Sequence, residues 1–477
     1  MLPVWTAQQT RDAEAVLLAE MPADGLMRRA AYGLAREVRR VLAGRRRVTL
    51  LVGSGDNGGD ALWAGVELRR AGIAVTAVLT NPERAHPRGL AALRRARGRV
   101  VSADTETARE AVTSADVLVD GIVGISGRGG LREPAASLVE AARAPVVAVD
   151  LPSGVDADTG ATDGPAVTAH RTVAFGGLKP VHVLARPRCG EVTVIDIGVH
   201  GEGEPHAWVL EAADVGARWP IPGPTDDKYT QGVVGIAAGS ATYPGAAVLA
   251  TGAAVLATSG MVRFAGSARE RVGQSWPEVV ATDSIDGAGR TQAWTVGPGI
   301  GTDDAGRALL EAVLDRDVPT CIDADAITLL ARHADLRRRL AGRPIVLTPH
   351  AGEFARIAGE VGPDRVAAAR RAAAELGVTV LLKGSATVVA DPGGRALVHP
   401  SDDAWAATAG SGDVLSGLIG ALLAAGLEPW WAAGCAAFVH SRAATLAAHR
   451  TGGAPVPAPA SVIQHTVPAA ISEVRGR

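Results

Sequence analysis

The sequence predicts an α/β protein of two domains, on three observations. Its 477 residues exceed what one hydrophobic core usually serves. Short β-branched runs alternate with helical segments through both halves, as in parallel sheets covered on both faces. Glycine loops carrying acidic residues follow several of the strands, at the sheet edge where open α/β folds bind ligands. The Gly-, Pro- and charge-rich stretch 200–232 marks the break, giving a first domain over 1–212, a linker over 213–224 and a second domain over 225–477.

In the first domain, residues 9–43 read as one or two amphipathic helices. Strands follow at 47–52 (RVTLLV), 73–79 (IAVTAVL), 117–120 (VLVD) and 145–150 (PVVAVD), with helices over about 59–71, 87–97 and 133–142 between them. Two further strands near 168–174 and 191–197 close the unit. The second domain repeats the alternation: strands at 233–239, 293–297, 318–323, 344–350 and 378–384, helices at 245–257, 303–314 and 364–376, and closing helices from 411 and 429. The halves share no evident repeat.

Composition narrows the function. An apolar content of 47% with a net charge of −2 permits large cores and argues against a nucleic-acid partner. Cys189, Cys321 and Cys435 lie far apart, without metal or disulfide spacing, and read as small core residues. The first 15 residues lack an apolar signal core, and stretches such as 414–426 are too short and Gly-rich to span a membrane, so a cytoplasmic protein is expected. Only Lys179, Lys228 and Lys383 break an almost exclusive use of arginine among 48 basic residues. A lysine retained in that setting suggests a place a planar guanidinium cannot fill.

The loop VGSGDNGGDALWAG (52–65) meets G-x-G-x-x-G through Gly53, Gly55 and Gly58. A dinucleotide fold would also place an acid at the end of the next strand, and IAVTAVLTNP has none. The loop instead holds Asp56, Asn57 and Asp60. Asp120 ends one later strand before a glycine loop, and Asp150 and Ser153 follow another. Asn57, Asp120 and Ser153 could offer hard oxygens to a cation, leaving Asp150 as an acid/base candidate. Asp156 and Asp158 read as turn residues.

The segments GSGDNGGDA, DGIVGISGRGG, DLPSGVDADTG and FGGLKP resemble the signature loops of the NAD(P)H-hydrate epimerase family, over most of residues 1–210. Asp56 stands where that family usually has Asn, and Ala61 where it has Gly. The resemblance implies a Rossmann-like sheet with flanking helices. It also implies that Asp56, Asn57, Gly58, Gly59, Asp60 and the loop Gly124, Ile125, Ser126, Gly127, Arg128, Gly129, Gly130 bind a hydrated nicotinamide nucleotide, that Asn57, Asp120 and Ser153 hold K⁺, and that Asp150 contacts the substrate. Lys179 could anchor a phosphate or position Asp150.

In the second domain, WAATAGSGDVLSG (405–417) sets Gly410, Ser411 and Gly412 at a helix start, where bare amides suit an anion, directly before the carboxylate of Asp413. That pairing suits phosphoryl transfer, with the Gly410–Gly412 amides as anion hole and Asp413 as proton acceptor. Lys383 ends a strand within reach of a phosphate, His350 follows another, and VGPGIGTDD (296–304) is a further glycine loop.

These residues resemble the ribokinase-like fold and, more narrowly, the ADP/ATP-dependent NAD(P)H-hydrate dehydratase family, whose motif order is kept by DKYTQGVVGIAAGSATYPGAA, GPGIG, DADAITLL, LTPHAGEF, LLKGSAT and AGSGDVLSG. Asp227 and Thr328 depart from its usual His and Asn. The resemblance implies that Ala246, Gly299 and His350 bind the hydrate. It assigns Lys383, Gly384, Ser385, Ala386, Thr387 and Gly412 to the adenine nucleotide and Asp413 to the substrate hydroxyl as base. It further implies Mg²⁺ with ADP as the usual donor, and a homo-oligomer is expected. Together the halves imply repair of hydrated NADH and NADPH: epimerisation, then nucleotide-dependent dehydration. The competing readings are a small-molecule kinase of the vitamin or thiazole type with an accessory domain, and a non-enzymatic scaffold on the first fold.

Overall fold

Val48–Val52 is apolar almost throughout and must be covered on both faces. In the computed structural model, which describes residues 1–258 and 260–476, this run lies inside a seven-stranded sheet whose pairings are all parallel. The strand order is Arg99–Ser102, Ala74–Leu79, Arg47–Val52, Val117–Gly121, Val146–Val149, Arg171–Phe175 and Glu191–Ile195. The chain moves outward from Arg47–Val52 to one edge, then returns to build the other side from Val117–Gly121. The order therefore reverses between these two strands, and such a reversal opens a crevice at the carboxyl ends.

The second sheet repeats the device. From Ala207–Val209 inward its order is Ala396–Pro400, Ala386–Ala390, Thr379–Leu382, Ile345–Leu347, Thr320–Ile322, Ala293–Val296, Val233–Ala237, Met261–Ala265 and Val280–Thr282. The reversal falls between Val233–Ala237 and Ala293–Val296. Ala386–Ala390 runs antiparallel to both neighbours, so this sheet is mixed.

The compact units are Pro3–Ala207, and Trp208–Arg477 with Met1–Leu2. The stretch 213–224 is therefore not a free linker. Ala212–Arg218 is a helix of the second unit, followed by a buried Trp219 whose indole donates to the Ala257 carbonyl at 2.9 Å. Apolar burial outweighs a local composition that reads as loop. The sequence reading also omits Arg99–Ser102, Met261–Ala265, the hairpin Ala386–Pro400 and the helix Ala460–Arg475. The helix taken to start near 59 begins at Asp56, so 56–60 form its first turn. All three cysteines are free and buried.

Close packing sets where the helix Ser411–Ala424 begins. Gly417 faces the Ala250 carbonyl and Gly420 the Thr295 hydroxyl, where added Cβ atoms would come within 2.2 and 2.0 Å. Thr295 Oγ1 donates to the Ser416 carbonyl at 3.0 Å. Gly420→Ala should therefore cost about 1–3 kcal/mol by overpacking, lowering the unfolding midpoint of the second unit by several degrees in a calorimetric scan. An unchanged midpoint would contradict this packing.

Candidate active sites

In the first unit three adjacent strand ends bring the expected residues together. Asn57 Nδ2 donates to the carbonyls of Val149 (2.5 Å) and Val123 (3.2 Å). Ser153 donates to Asp120 through its hydroxyl (2.7 Å) and its amide (2.8 Å), and accepts the Val123 amide. Asp120 is fully buried, and burial pushes its pKa to about 6 against the hydrogen bonds from Ser153 and Ile122. Its donors are a hydroxyl and amides, with no cationic side chain among them. The carboxylate and the hydroxyl are hard oxygens of the kind that fits a cation, and Asn57 joins them through the Val123 carbonyl, which its Nδ2 and the Ser153 hydroxyl share.

Asp150 sits one residue beyond Val146–Val149 with φ +64°, a left-handed conformation uncommon outside glycine. Three contacts hold it there. Lys179 Nζ, itself 1% exposed, donates to Asp150 Oδ1 at 2.8 Å and to the Phe175 carbonyl at 3.2 Å, and the Phe175 amide donates to the same carboxylate oxygen at 3.1 Å. His182 Nε2 lies 2.7 Å from the Asp150 carbonyl, while its Nδ1 accepts the Lys179 amide. Burial, followed by the charge of Lys179, lowers the His182 pKa to about 4, so the ring bridges these groups in its neutral form. Of the two roles open to Lys179, the geometry shows the positioning of Asp150.

The glycines of the first loop separate into packing and contact. A Cβ at Gly53 would meet the Ile122 carbonyl at 1.8 Å, and one at Gly58 the Gly53 carbonyl at 2.2 Å. These two positions let the helix start approach the strand ends. Asp60 is buried, and desolvation, then Asp150, Asp56 and Glu14, raise its pKa well above the usual carboxylate range. The sequence reading does not single out Glu14, whose own pKa is raised by burial and by Asp150. Its helix reaches the second loop through Arg11, which donates to Ser126 Oγ at 3.3 Å. The segment Gly127–Gly130 lines a cavity of about 330 Å³ with Gly53, Thr80 and Arg132. Arg128 pairs with Asp156 at 3.0 Å, and Asp156 caps its own turn as expected. Ile125 packs on the small cluster around Leu151 and Val155.

In the second unit the reversal point juxtaposes Ala246 and Gly299: a Cβ on Gly299, which has φ +66°, would stand 3.0 Å from that of Ala246. The Gly239 amide donates to the Pro298 carbonyl at 2.7 Å, tying the two loops. Three strand ends further along the sheet supply charge. Lys383 Nζ donates to Asp323 at 2.8 Å and lies 3.9 Å from Glu353. Burial disfavours the ammonium, but Asp323 and Glu353 outweigh it and its pKa is raised. His350 is exposed and caps its helix by accepting the amides of Gly352 and Glu353, while Glu353 accepts the His350 amide.

Asp413 occupies the third position of the helix Ser411–Ala424. The Ser411 amide is bound to the Thr408 carbonyl and drops out of the Gly410–Gly412 run, whereas among the described residues the amides of Gly410, Gly412 and Asp413 have no backbone acceptor. Lys383 Nζ lies 3.5 Å from where a Gly412 side chain would begin, and Asp323 Oδ2 lies 3.8 Å away. Gly384 touches Arg365, which donates to the Lys383 carbonyl; Ser385 accepts the Ser401 amide; Ala386 and Thr387 open a strand. Burial and then Asp323 raise the Asp413 pKa to about 7, against the opposing charge of Lys383. Asp323 and Glu353 lie inside motifs the sequence reading quotes, though it gives them no role. Asp323 was detectable by the rule that marks Asp120 and Asp150, an acid closing a buried strand. Thr328 contacts Arg356 at 3.2 Å. Among the described residues no group of three or more His, Cys, Asp or Glu side chains is placed to hold a metal ion.

Two α/β units with carboxylates at the carboxyl ends of their parallel strands belong to the class of folds that bind ligands at that edge. The second unit is similar to a solved ribokinase-like superfamily protein from Enterococcus faecalis at TM-score 0.50 and 21% identity, covering 58% of this chain and 100% of that one; this likeness concerns the fold. Family models described as NAD(P)H-hydrate dehydratase and YjeF-related protein N-terminus match residues 234–465 and 23–181. Bifunctional NAD(P)H-hydrate repair enzymes of Mycobacterium tuberculosis and Mycobacterium leprae are 58% and 56% identical. The first alignment covers 89% of each chain, the second 94% of this chain and 95% of its relative. The chain belongs to the bifunctional NAD(P)H-hydrate repair enzyme family. No helix among the described residues is long and apolar enough to cross a membrane.

The Asp413 pKa, near 7 when folded against the ordinary 3.8, has a stability consequence. Between these values the folded chain keeps a proton that the unfolded chain has lost, so stability falls as pH rises through that window. Asp413→Asn removes this loss. The midpoint of the variant relative to the unmodified protein should rise from pH 4 to pH 8, and a difference independent of pH would contradict the burial of this carboxylate.

Proposed function

We propose that the first unit epimerises the R and S forms of hydrated NADH and NADPH, and that the second dehydrates the S form at the expense of a nucleoside diphosphate, ADP. The observation that carries this reading is Asp413: a half-buried carboxylate at a helix start, beside open amides and Lys383. In the proposed reaction Asp413 accepts the proton of the C6 hydroxyl as its oxygen bonds to the terminal phosphorus of ADP and AMP departs. The Gly412 and Asp413 amides and the Lys383 ammonium face the charge on the transferred group. Phosphate then leaves C6 with the C–O bond pair, the C5 proton passes to solvent, and the C5–H bond pair restores the dihydronicotinamide double bond. Lys383, Gly384, Ser385, Ala386, Thr387 and Gly412 hold the donor, with Ala246, Gly299 and His350 on the hydrate. Mg²⁺, when bound with the donor, would screen the phosphate charge.

In the first unit the substrate is a hemiaminal whose C6 hydroxyl can leave and return on either face. Asp150, fixed by Lys179, shuttles the proton, while the carboxylates of Asp56 and Asp150 oppose positive charge developing in the ring. The loops 56–60 and 124–130 carry the nucleotide. Asn57, Asp120 and Ser153 hold K⁺, which would offset the buried charge of Asp120. The two activities complement each other, since dehydration accepts one epimer and epimerisation supplies it from the other.

Recovery of reduced-nicotinamide absorbance from a mixture of both NADHX epimers, with ADP, Mg²⁺ and K⁺, tests the reading. Complete recovery faster than spontaneous epimerisation is expected; no recovery with ADP or ATP would refute it. Asp413→Asn should abolish dehydration and spare epimerisation, and Asp150→Asn should do the reverse. A single substitution that abolishes both activities would break the two-site assignment.

A further inference from the structure

The run Gly410-Ser411-Gly412 that opens the anion site has a single side chain with which to hold itself in place. Gly410 is left-handed at φ +82°, and neither glycine has an atom beyond the backbone. Ser411 uses its side chain for this purpose: its Oγ lies 2.8 Å from His440 Nε2, with Ser411 3% and His440 8% exposed. His440 stands on the helix Pro429–Ala448, among the buried Cys435, Ala436, Val439, Ala443 and Ala444. Burial lowers its pKa to about 4 against an opposing contact with the Ser411 backbone, and the charge of Lys383 adds to the lowering, so the ring is neutral at working pH. It therefore adds no charge to the site. A hydrogen bond between two buried groups does constrain both of them, because breaking it strands a polar atom away from water. The two residues that follow Ser411 are those whose placement matters: Gly412 and Asp413 present open amides and the carboxylate.

We propose that His440 is a positioning residue for phosphoryl transfer, acting through Ser411 to hold the Gly412 amide and Asp413 in register with the transferring group. This rests on the dehydratase reading of the second unit. Small misplacements at such a site are costly, since a shift of about 1 Å can cost on the order of 100-fold in rate.

The test uses the full chain and follows ADP-dependent dehydration of the S epimer, with epimerisation in the first unit as the internal control of protein amount and the unfolding midpoint of the second unit as the control of its folding. His440→Ala and Ser411→Ala should each lower kcat for dehydration about 10- to 100-fold while the KM for the hydrate stays within about threefold. The double variant should be no slower than the worse single one, because both substitutions cut one link. His440→Gln, which can return a polar atom to Ser411, should recover much of the lost rate. The proposal is overturned if Ser411→Ala keeps full kcat, if the two losses multiply, or if glutamine restores stability but not rate. Should His440→Ala fail to fold, Ser411→Ala and His440→Gln decide alone. An unmodified protein that dehydrates with neither ADP nor ATP would instead remove the dehydratase reading, and this inference with it.

Discussion

A lysine ammonium set against an aspartate at the carboxyl ends of parallel strands, buried for Lys179 and partly buried for Lys383, is the interaction on which both sites depend. Lys179 meets Asp150 and Lys383 meets Asp323, each at 2.8 Å. Removing one partner of such a pair leaves an uncompensated charge, a loss of about 3–5 kcal/mol when the pair is fully buried. The same low-dielectric surroundings set the chemistry. Asp150 is held in place by its ammonium partner and the Phe175 amide, whereas burial and then the charge of Asp323 push Asp413 up to about 7 against the opposing charge of Lys383. A lysine suits these positions because its charge is compact and its stem slender; a guanidinium needs a plane of acceptors that the strand ends do not offer.

Glycine does the complementary work of bringing backbone to backbone. Gly53 and Gly58 let the first helix close on its strand, and Gly417 and Gly420 seat the helix that begins at Ser411. In each unit the helix start is therefore placed by contacts behind it, and its front is left open. A glycine spacing that reads as a phosphate fingerprint thus answers a packing demand that precedes any ligand. That is why the acid expected of a dinucleotide fold can be missing while the glycines remain.

Asp150 shows how the scaffold carries local strain. Its left-handed backbone is held by a neutral imidazole on its carbonyl and by an ammonium and an amide on one carboxylate oxygen. Such a conformation persists when its surroundings over-determine it. The other acids around it, Asp56, Asp60 and Glu14, come from two further elements, and burial, then the charge of Asp150, raises the pKa values of Asp60 and Glu14.

The alternation of strands and helices, the two-domain division, the acids at strand ends and the rarity of lysine were all legible in the residues, because each follows from short-range patterning or composition. Strands as brief as Met261–Ala265, and the hairpin Ala386–Pro400, were not, since their periodicity is too short to stand out from loops. Nor was the helical place of Ala212–Arg218, which is fixed by the distant contact of Trp219 with Ala257. The partners were decided by tertiary structure alone. Nothing local pairs Lys179 with Asp150 rather than with a phosphate, joins Ser411 to His440 across 29 residues, or closes the Ser411 amide while leaving Gly412 open. Sequence determined which chemical groups the sheet edges carry; the fold, through burial and strand order, determined which of them meet and in what charge state.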